Sequence, residues 1–198
     1  MQLNPAAKEL SYNNYNDSDG ALNLIKEFKD PAAAIIKHTN PAGCAVAKTI
    51  SEAYAKALST DPMSAFGGVV AINQKCDVKT AEQIISSFKE VVVAPSYTED
   101  SLTILRTKKN LRILSVGELN SPSVTLIEKP IIGGRLIQQR DLSSLSPDDL
   151  NMVTKIEPTP SQIKTMLFAW KVVKHVKSNA IVFATGTETV GLGMGQVS

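Results

Sequence analysis

Ala32-Ala33-Ala34-Ile35-Ile36-Lys37-His38-Thr39-Asn40-Pro41-Ala42-Gly43 passes from an uninterrupted apolar run, through two side chains that handle protons and charge, into turn-forming residues. The apolar part reads as a buried strand ending at Lys37. Asn40-Pro41-Ala42-Gly43 reads as a turn that stops it, because proline disfavours continuation and glycine relaxes the backbone. In α/β folds, side chains at the carboxyl end of a strand can enter a crevice while the scaffold behind them stays rigid. Lys37 and His38 are therefore the first candidates for chemistry. His38 is one of only 2 histidines.

Outward from this stretch the pattern alternates. Asn16-Asp17-Ser18-Asp19 offers N-cap oxygens to a helix over about 18–28, with Ala21, Leu22, Leu24, Ile25 and Phe28 at helical spacing and Pro31 ending it. Helical spacing returns over 45–58, and Val69-Val70-Ala71-Ile72 reads as a buried strand. A helix over 80–88, a second buried strand over 91–95, a helix over 99–105 and an extended segment over 112–116 follow. Such alternation predicts a three-layer α/β domain around a mostly parallel or mixed sheet. Segments 124–127 and 136–139, divided by Gly133-Gly134, read as antiparallel additions near a sheet edge. Residues 141–160 carry three prolines and no sustained period, which marks a connector. A helix over 161–176, strands over 180–184 and 189–192, and a glycine-rich end then repeat the order helix, strand, glycine-containing motif.

The bulk numbers narrow the function. A chain of 198 residues with 43% apolar content can bury a core, and a net charge of +2 without a long basic block argues against a nucleic-acid binder. Apolar runs of about five residues fall far short of the roughly 20 that span a bilayer, and the amino terminus lacks an export pattern. A cytoplasmic location is the expectation. Cys44 and Cys76 form no CxxC pair, and with 2 histidines no zinc spacing is recognisable, so no metal is expected. Cys44 reads as a small apolar residue opening a packed helix. His38-Thr39-Asn40 lacks the glutamate and the PCxxC pair that zinc deaminases need.

Each further candidate has a plain alternative. A neutral His38 imidazole can accept a proton from an attacking amine and Lys37 can hold developing negative charge; equally, the pair can be a solvated lysine and a capping histidine. Within Asp61-Pro62-Met63-Ser64-Ala65-Phe66-Gly67-Gly68, Phe66 can stack on a flat ring and the glycines can bring backbone amides close to a ligand, or the segment can be an ordinary turn into a strand. Glu90 offers a carboxylate to an amine or hydroxyl, or is part of a solvated strand start. Asn179 can bond a carboxamide or formyl oxygen, or terminate a helix. Gly191-Leu192-Gly193-Met194-Gly195 lacks the following helix that a phosphate loop requires.

Taken in order, Leu10-Ser11-Tyr12-Asn13-Asn14, Lys37-His38-Thr39-Asn40-Pro41-Ala42-Gly43, Asp61-Pro62-Met63-Ser64-Ala65-Phe66-Gly67-Gly68, Ala94-Pro95, Lys108-Lys109-Asn110-Leu111-Arg112, Lys177-Ser178-Asn179-Ala180 and Gly193-Met194-Gly195-Gln196 form a specific series. It resembles the transformylase part of the bifunctional AICAR formyltransferase/IMP cyclohydrolase family, over almost the whole chain. The resemblance implies a cytidine-deaminase-like fold without catalytic zinc: a first subdomain over 1–140, a connector over 141–160 and the start of a second, related subdomain over 161–198. It implies formyl transfer from the co-substrate 10-formyltetrahydrofolate to the 5-amino group of AICAR on the way to IMP, within a homodimer. His38 would be the base and Lys37 would orient the formyl group and stabilise charge. Phe66 and Gly67 would lie against the AICAR base, Glu90 would contact AICAR, and Asn179 would hold the carboxamide or formyl oxygen. The cyclohydrolase domain, an arginine-tyrosine segment before Met1 and an arginine after Ser198 are absent from the chain. The expectation is thus a piece of a longer enzyme, inactive by itself. A non-catalytic nucleotide- or partner-binding module of the same fold is the alternative.

Overall fold

The computed structural model describes residues 1–119 and 126–195. Around the opening stretch it departs from the turn expected above. β1 (Ala32–Lys37) is followed by β2 (Asn40–Val46), and the two pair as an antiparallel hairpin with Lys37 opposite Asn40. His38 and Thr39 form the two-residue loop, with φ of 52° and 66°. Positive φ at both central residues is what a tightly twisted I′-type hairpin demands. Pro41 does not end the strand because it sits at a β-bulge: Ile35 faces Gly43 and Ile36 faces Pro41, leaving Ala42 as the extra residue. Segment 40–46 is therefore strand, and α2 (Ile50–Thr60) begins later than the expected 45.

α1 spans Tyr12–Ile25, not 18–28. Its N-cap is Ser11, which exchanges capping-box hydrogen bonds with Asn14. β3 (Val69–Ile72), α3 (Val78–Ile85), β4 (Val91–Ala94), α4 (Glu99–Arg106) and β5 (Arg112–Ser115) follow the expected order closely. Asp77 and Thr98 cap α3 and α4 by accepting from backbone amides three residues on. β6 (Leu126–Ile131) and β7 (Gly134–Gln139) pair only with each other, so this hairpin is a separate two-stranded sheet and not an addition to the main edge. The first residues of its expected range, Val124 and Thr125, lie outside the described residues. A single 3-10 turn, Pro147–Asp149, interrupts 141–159, and α5 (Pro160–Val173) starts behind the capping residue Thr159. β8 (Ile181–Thr185) and β9 (Glu188–Gly193) complete the described chain.

The main sheet has seven strands in the order β5-β4-β3-β1-β2-β9-β8. β3, β4 and β5 run parallel, whereas β1 is antiparallel to both β2 and β3. Alternate residues of the buried strands divide between two layers, which gives the expected three-layer α/β arrangement. Ala33, Ile35, Val70 and Val92 pack under α2, α3 and α4 through Tyr54, Ala57, Ile84 and Leu105. Ala34, Ile36, Ala71 and Val93 pack under α1 and α5 through Leu24, Ile25, Phe168 and Val172. Past residue 160 the described residues form no sheet of their own: β9 joins β2, with Ala45 opposite Glu188. No described helix is long and apolar enough to cross a membrane.

Candidate functional site

The sheet topology gathers most of the candidates at one end. Because β1 runs against β3, its carboxyl end lies beside the amino ends of β3 and β4, with Ile36 opposite Val69 and Val69 opposite Val91. Lys37 thus meets the 66–68 and 88–90 segments across the sheet. Its Nζ donates to the Phe66 carbonyl at 2.5 Å. A Cβ placed on Gly67 would lie 3.7 Å from that same Nζ. Lys37 is therefore aimed and half-buried, which replaces the reading of a freely solvated lysine.

His38 projects from the hairpin tip and is exposed. The tip is held against α1 and the C-terminal part of the chain. Thr39 N donates to Asp17 Oδ1 at 2.7 Å, and Lys177 N donates to Asn40 Oδ1 at 3.0 Å. A β-branched residue at positive φ is costly, and such strain persists only where surrounding contacts enforce it. These two bonds flank Thr39 and supply that enforcement. The pair borders a cleft of about 590 Å³ whose wall includes Lys37, His38, Asn40, Asp61, Ser64 and Met194. Asp61 is held below the usual carboxylate range, first by the Ser64 hydroxyl at 2.5 Å and then by the Ser64 amide at 2.9 Å. It supplies the cleft with a fixed negative charge.

Phe66 leaves 56% of its surface exposed and leans on Phe88, with ring centroids 5.4 Å apart. Its outer face is an apolar platform next to the Lys37 ammonium. The glycines act otherwise than expected. Gly67 N donates to Phe88 O at 2.9 Å and Gly68 N donates to Ala65 O at 3.2 Å, so neither amide is offered to a ligand. Gly67 supplies a φ of 71°, and a Cβ on Gly68 would come within 3.0 Å of the Ile36 carbonyl. The pair serves close packing against β1.

Glu90 is half-buried, not part of a solvated strand start, and its Oε2 accepts from Asn14 Nδ2 at 2.8 Å. Asn14, 4% exposed, uses its Oδ1 to accept from Ser11 N at 3.1 Å. The capping box of α1 thereby fixes the amide that orients Glu90. Asn14 is a partner of Glu90 that the roles assigned from sequence omitted; the Ser-x-x-Asn spacing was the available signal. Asn179 is exposed and lies beyond α5, whose C-cap is Lys174, so it is not a helix terminator. Its segment reaches the hairpin tip through Lys177, which also accepts from Gly195 N at 3.0 Å. Gln196, the last residue of the glycine-rich motif, lies outside the described residues.

A family model described as AICARFT/IMPCHase bienzyme matches residues 1–198. The chain belongs to that family. It is 51% identical over 191 residues to the bifunctional purine biosynthesis protein PurH of Thermoanaerobacter sp. (strain X514), a match that covers 96% of this chain. The chain spans 37% of the length of that relative. The bienzyme family thus accounts for the whole sequence, including every element that builds the cleft.

Proposed function

We propose that this chain carries the Lys-His part of an AICAR formyltransferase site and works within a longer protein of purine biosynthesis. The observation that supports this most is the adjacency of an exposed imidazole and an oriented ammonium at the lip of a 590 Å³ cleft, in a chain that the bienzyme family covers throughout. The 5-amino group of AICAR, conjugated to a carboxamide-bearing ring, is a weak nucleophile. It needs proton removal as it attacks. In the proposed step the amine nitrogen bonds to the formyl carbon of 10-formyltetrahydrofolate and His38 takes its proton. Lys37 holds the negative charge that develops on the formyl oxygen. Cleavage of the carbon–N10 bond then releases tetrahydrofolate, with the proton returned to N10. Phe66 would support the AICAR ring, Gly67 would leave room beside Lys37, and Glu90, steadied by Asn14, would accept from an AICAR donor. Asn179 would bond the carboxamide or formyl oxygen. Holding two large reactants together supplies much of the remaining acceleration. No metal enters this scheme, and the protein is proposed to act as a cytoplasmic homodimer.

His38→Asn in the full-length enzyme tests the base. Asparagine tolerates the positive φ of this turn, so the hairpin should survive. Formyl transfer should fall by about 10²- to 10⁴-fold with an unchanged unfolding midpoint. Turnover equal to that of the unaltered enzyme would refute the assignment.

A further inference from the structure

Asn16-Asp17-Ser18-Asp19 has the composition of a helix cap, yet Ser11 caps α1 and the cluster falls in the second turn of that helix. Asp17 has a different partner. Its Oδ1 accepts from the Thr39 amide at 2.7 Å, across 22 residues of chain, and Asp17 is half-buried there. A hydrogen bond to an ionised carboxylate is roughly twice as strong as one between neutral groups. The amide so held belongs to the residue that most resists its own conformation, because Thr39 is β-branched and has a φ of 66°. Beside it, the exposed His38 ring makes no hydrogen bond among the described residues. The bonds recorded at His38 run instead from Thr39 Oγ1 and Asn40 Nδ2 to its carbonyl, at 2.6 and 3.3 Å. The direction of the imidazole is thus governed by the loop backbone that carries it. Lys37, one residue earlier, has its own anchor in the Phe66 carbonyl.

We infer that Asp17 is a positioning residue for His38, holding the hairpin loop in the left-handed geometry that sets the imidazole at the edge of the cleft; the inference rests on the base assignment proposed above. Released from the carboxylate, Thr39 can relax toward the extended or right-handed region, and the tip that carries His38 turns with it. Lys37 and Glu90 keep their separate bonds to Phe66 and Asn14, and Phe66 keeps its contact with Phe88. The surface proposed for AICAR therefore stays as it is while the base moves. A misplacement on the order of 1 Å can cost about 10²-fold in rate.

Steady-state formyl transfer by the full-length enzyme tests it. Asp17→Ala, a change that favours helix in α1, should lower kcat by about 10²-fold while moving KM for AICAR by less than about threefold. Two double variants separate aiming from a merely structural role. Adding Thr39→Gly to Asp17→Ala should return most of the lost kcat, because glycine adopts positive φ without the carboxylate. Adding Asp17→Ala to His38→Asn should cost nothing beyond His38→Asn, since a residue that acts only through the imidazole then has nothing to aim. Unchanged kcat in Asp17→Ala, no recovery on adding Thr39→Gly, or losses that multiply in the variant lacking both side chains would overturn the inference and leave the base assignment standing. Full turnover in His38→Asn would remove that assignment, and the inference with it.

Discussion

At the scale of single residues, Lys89 makes stability rise with pH in the alkaline range. Burial, and secondarily the Lys37 ammonium, push its amine from the ordinary 10.5 down to about 8. Between those values the unfolded chain holds a proton that the folded chain has lost, so stability rises as pH climbs from about 8 toward 10.5. Below 8 the full penalty of the buried cation is present. Urea unfolding at pH 7.5 and 9.5 should show the gain, and Lys89→Met should abolish it. The variant should also be more stable at neutral pH, on the order of a few kcal/mol. Nothing in the sequence marks Lys89 as buried, since a lysine before a strand is ordinarily solvated. Lys37 and His38 were legible because chemistry-bearing types interrupt an apolar run. Asn14 was not legible as a partner of Glu90, because 76 residues of chain separate them and only the packing of α1 on the sheet brings them together.

At the scale of elements, the β2–α2 contact turns on one missing carbon. A Cβ on Gly43 would lie 1.9 Å from the Ala57 carbonyl oxygen and 2.9 Å from Thr60 Oγ1. The first of these is helix backbone and has no way to swing aside. Gly43→Ala should therefore destabilise the fold by about 3 kcal/mol, the upper end of overpacking costs, read as a lowered urea midpoint with an unchanged slope. The same glycine helped to disguise its strand. Asn40-Pro41-Ala42-Gly43 has turn composition, but a bulge accommodates the proline and helix contact requires the glycine. The two-residue loop His38-Thr39 lacks the Asn-Gly signature that would have announced a hairpin. Buried strands β3 and β4 were read correctly for the opposite reason: continuous valine and isoleucine runs bounded by glycine and proline admit few other structures. Helix starts were less legible where several capping oxygens crowd together, as at Ser11 and the Asn16–Asp19 cluster.

At the scale of the whole molecule, the early and late parts of the chain meet where α5 packs Phe168 and Val172 into the layer under α1 and again where β9 joins β2. Among the described residues β2 and β9 register through Ala45 and Glu188, and threonines reinforce the junction. Thr189 Oγ1 accepts from Cys44 N at 2.9 Å, and Thr187 Oγ1 donates to Val46 O at 2.8 Å. Thr189→Val leaves the Cys44 amide without that acceptor, at a cost of about 1–3 kcal/mol. Hydrogen exchange should then accelerate more in β8 and β9 than in β3 and β4. The repeat of helix followed by hairpin, α1-β1-β2 and α5-β8-β9, was partly visible in sequence as a recurring order. Its union into one sheet was not, because strand order across 140 residues leaves no local trace. Cys44 and Cys76 are both fully buried, one in the layer under α1 and α5 and the other in the layer under α2, α3 and α4, and burial raises both thiols. A thiol reacts as its solvent-reached thiolate. The folded chain therefore carries one silent chemical clock on each side of its sheet, and each starts only when its own layer opens.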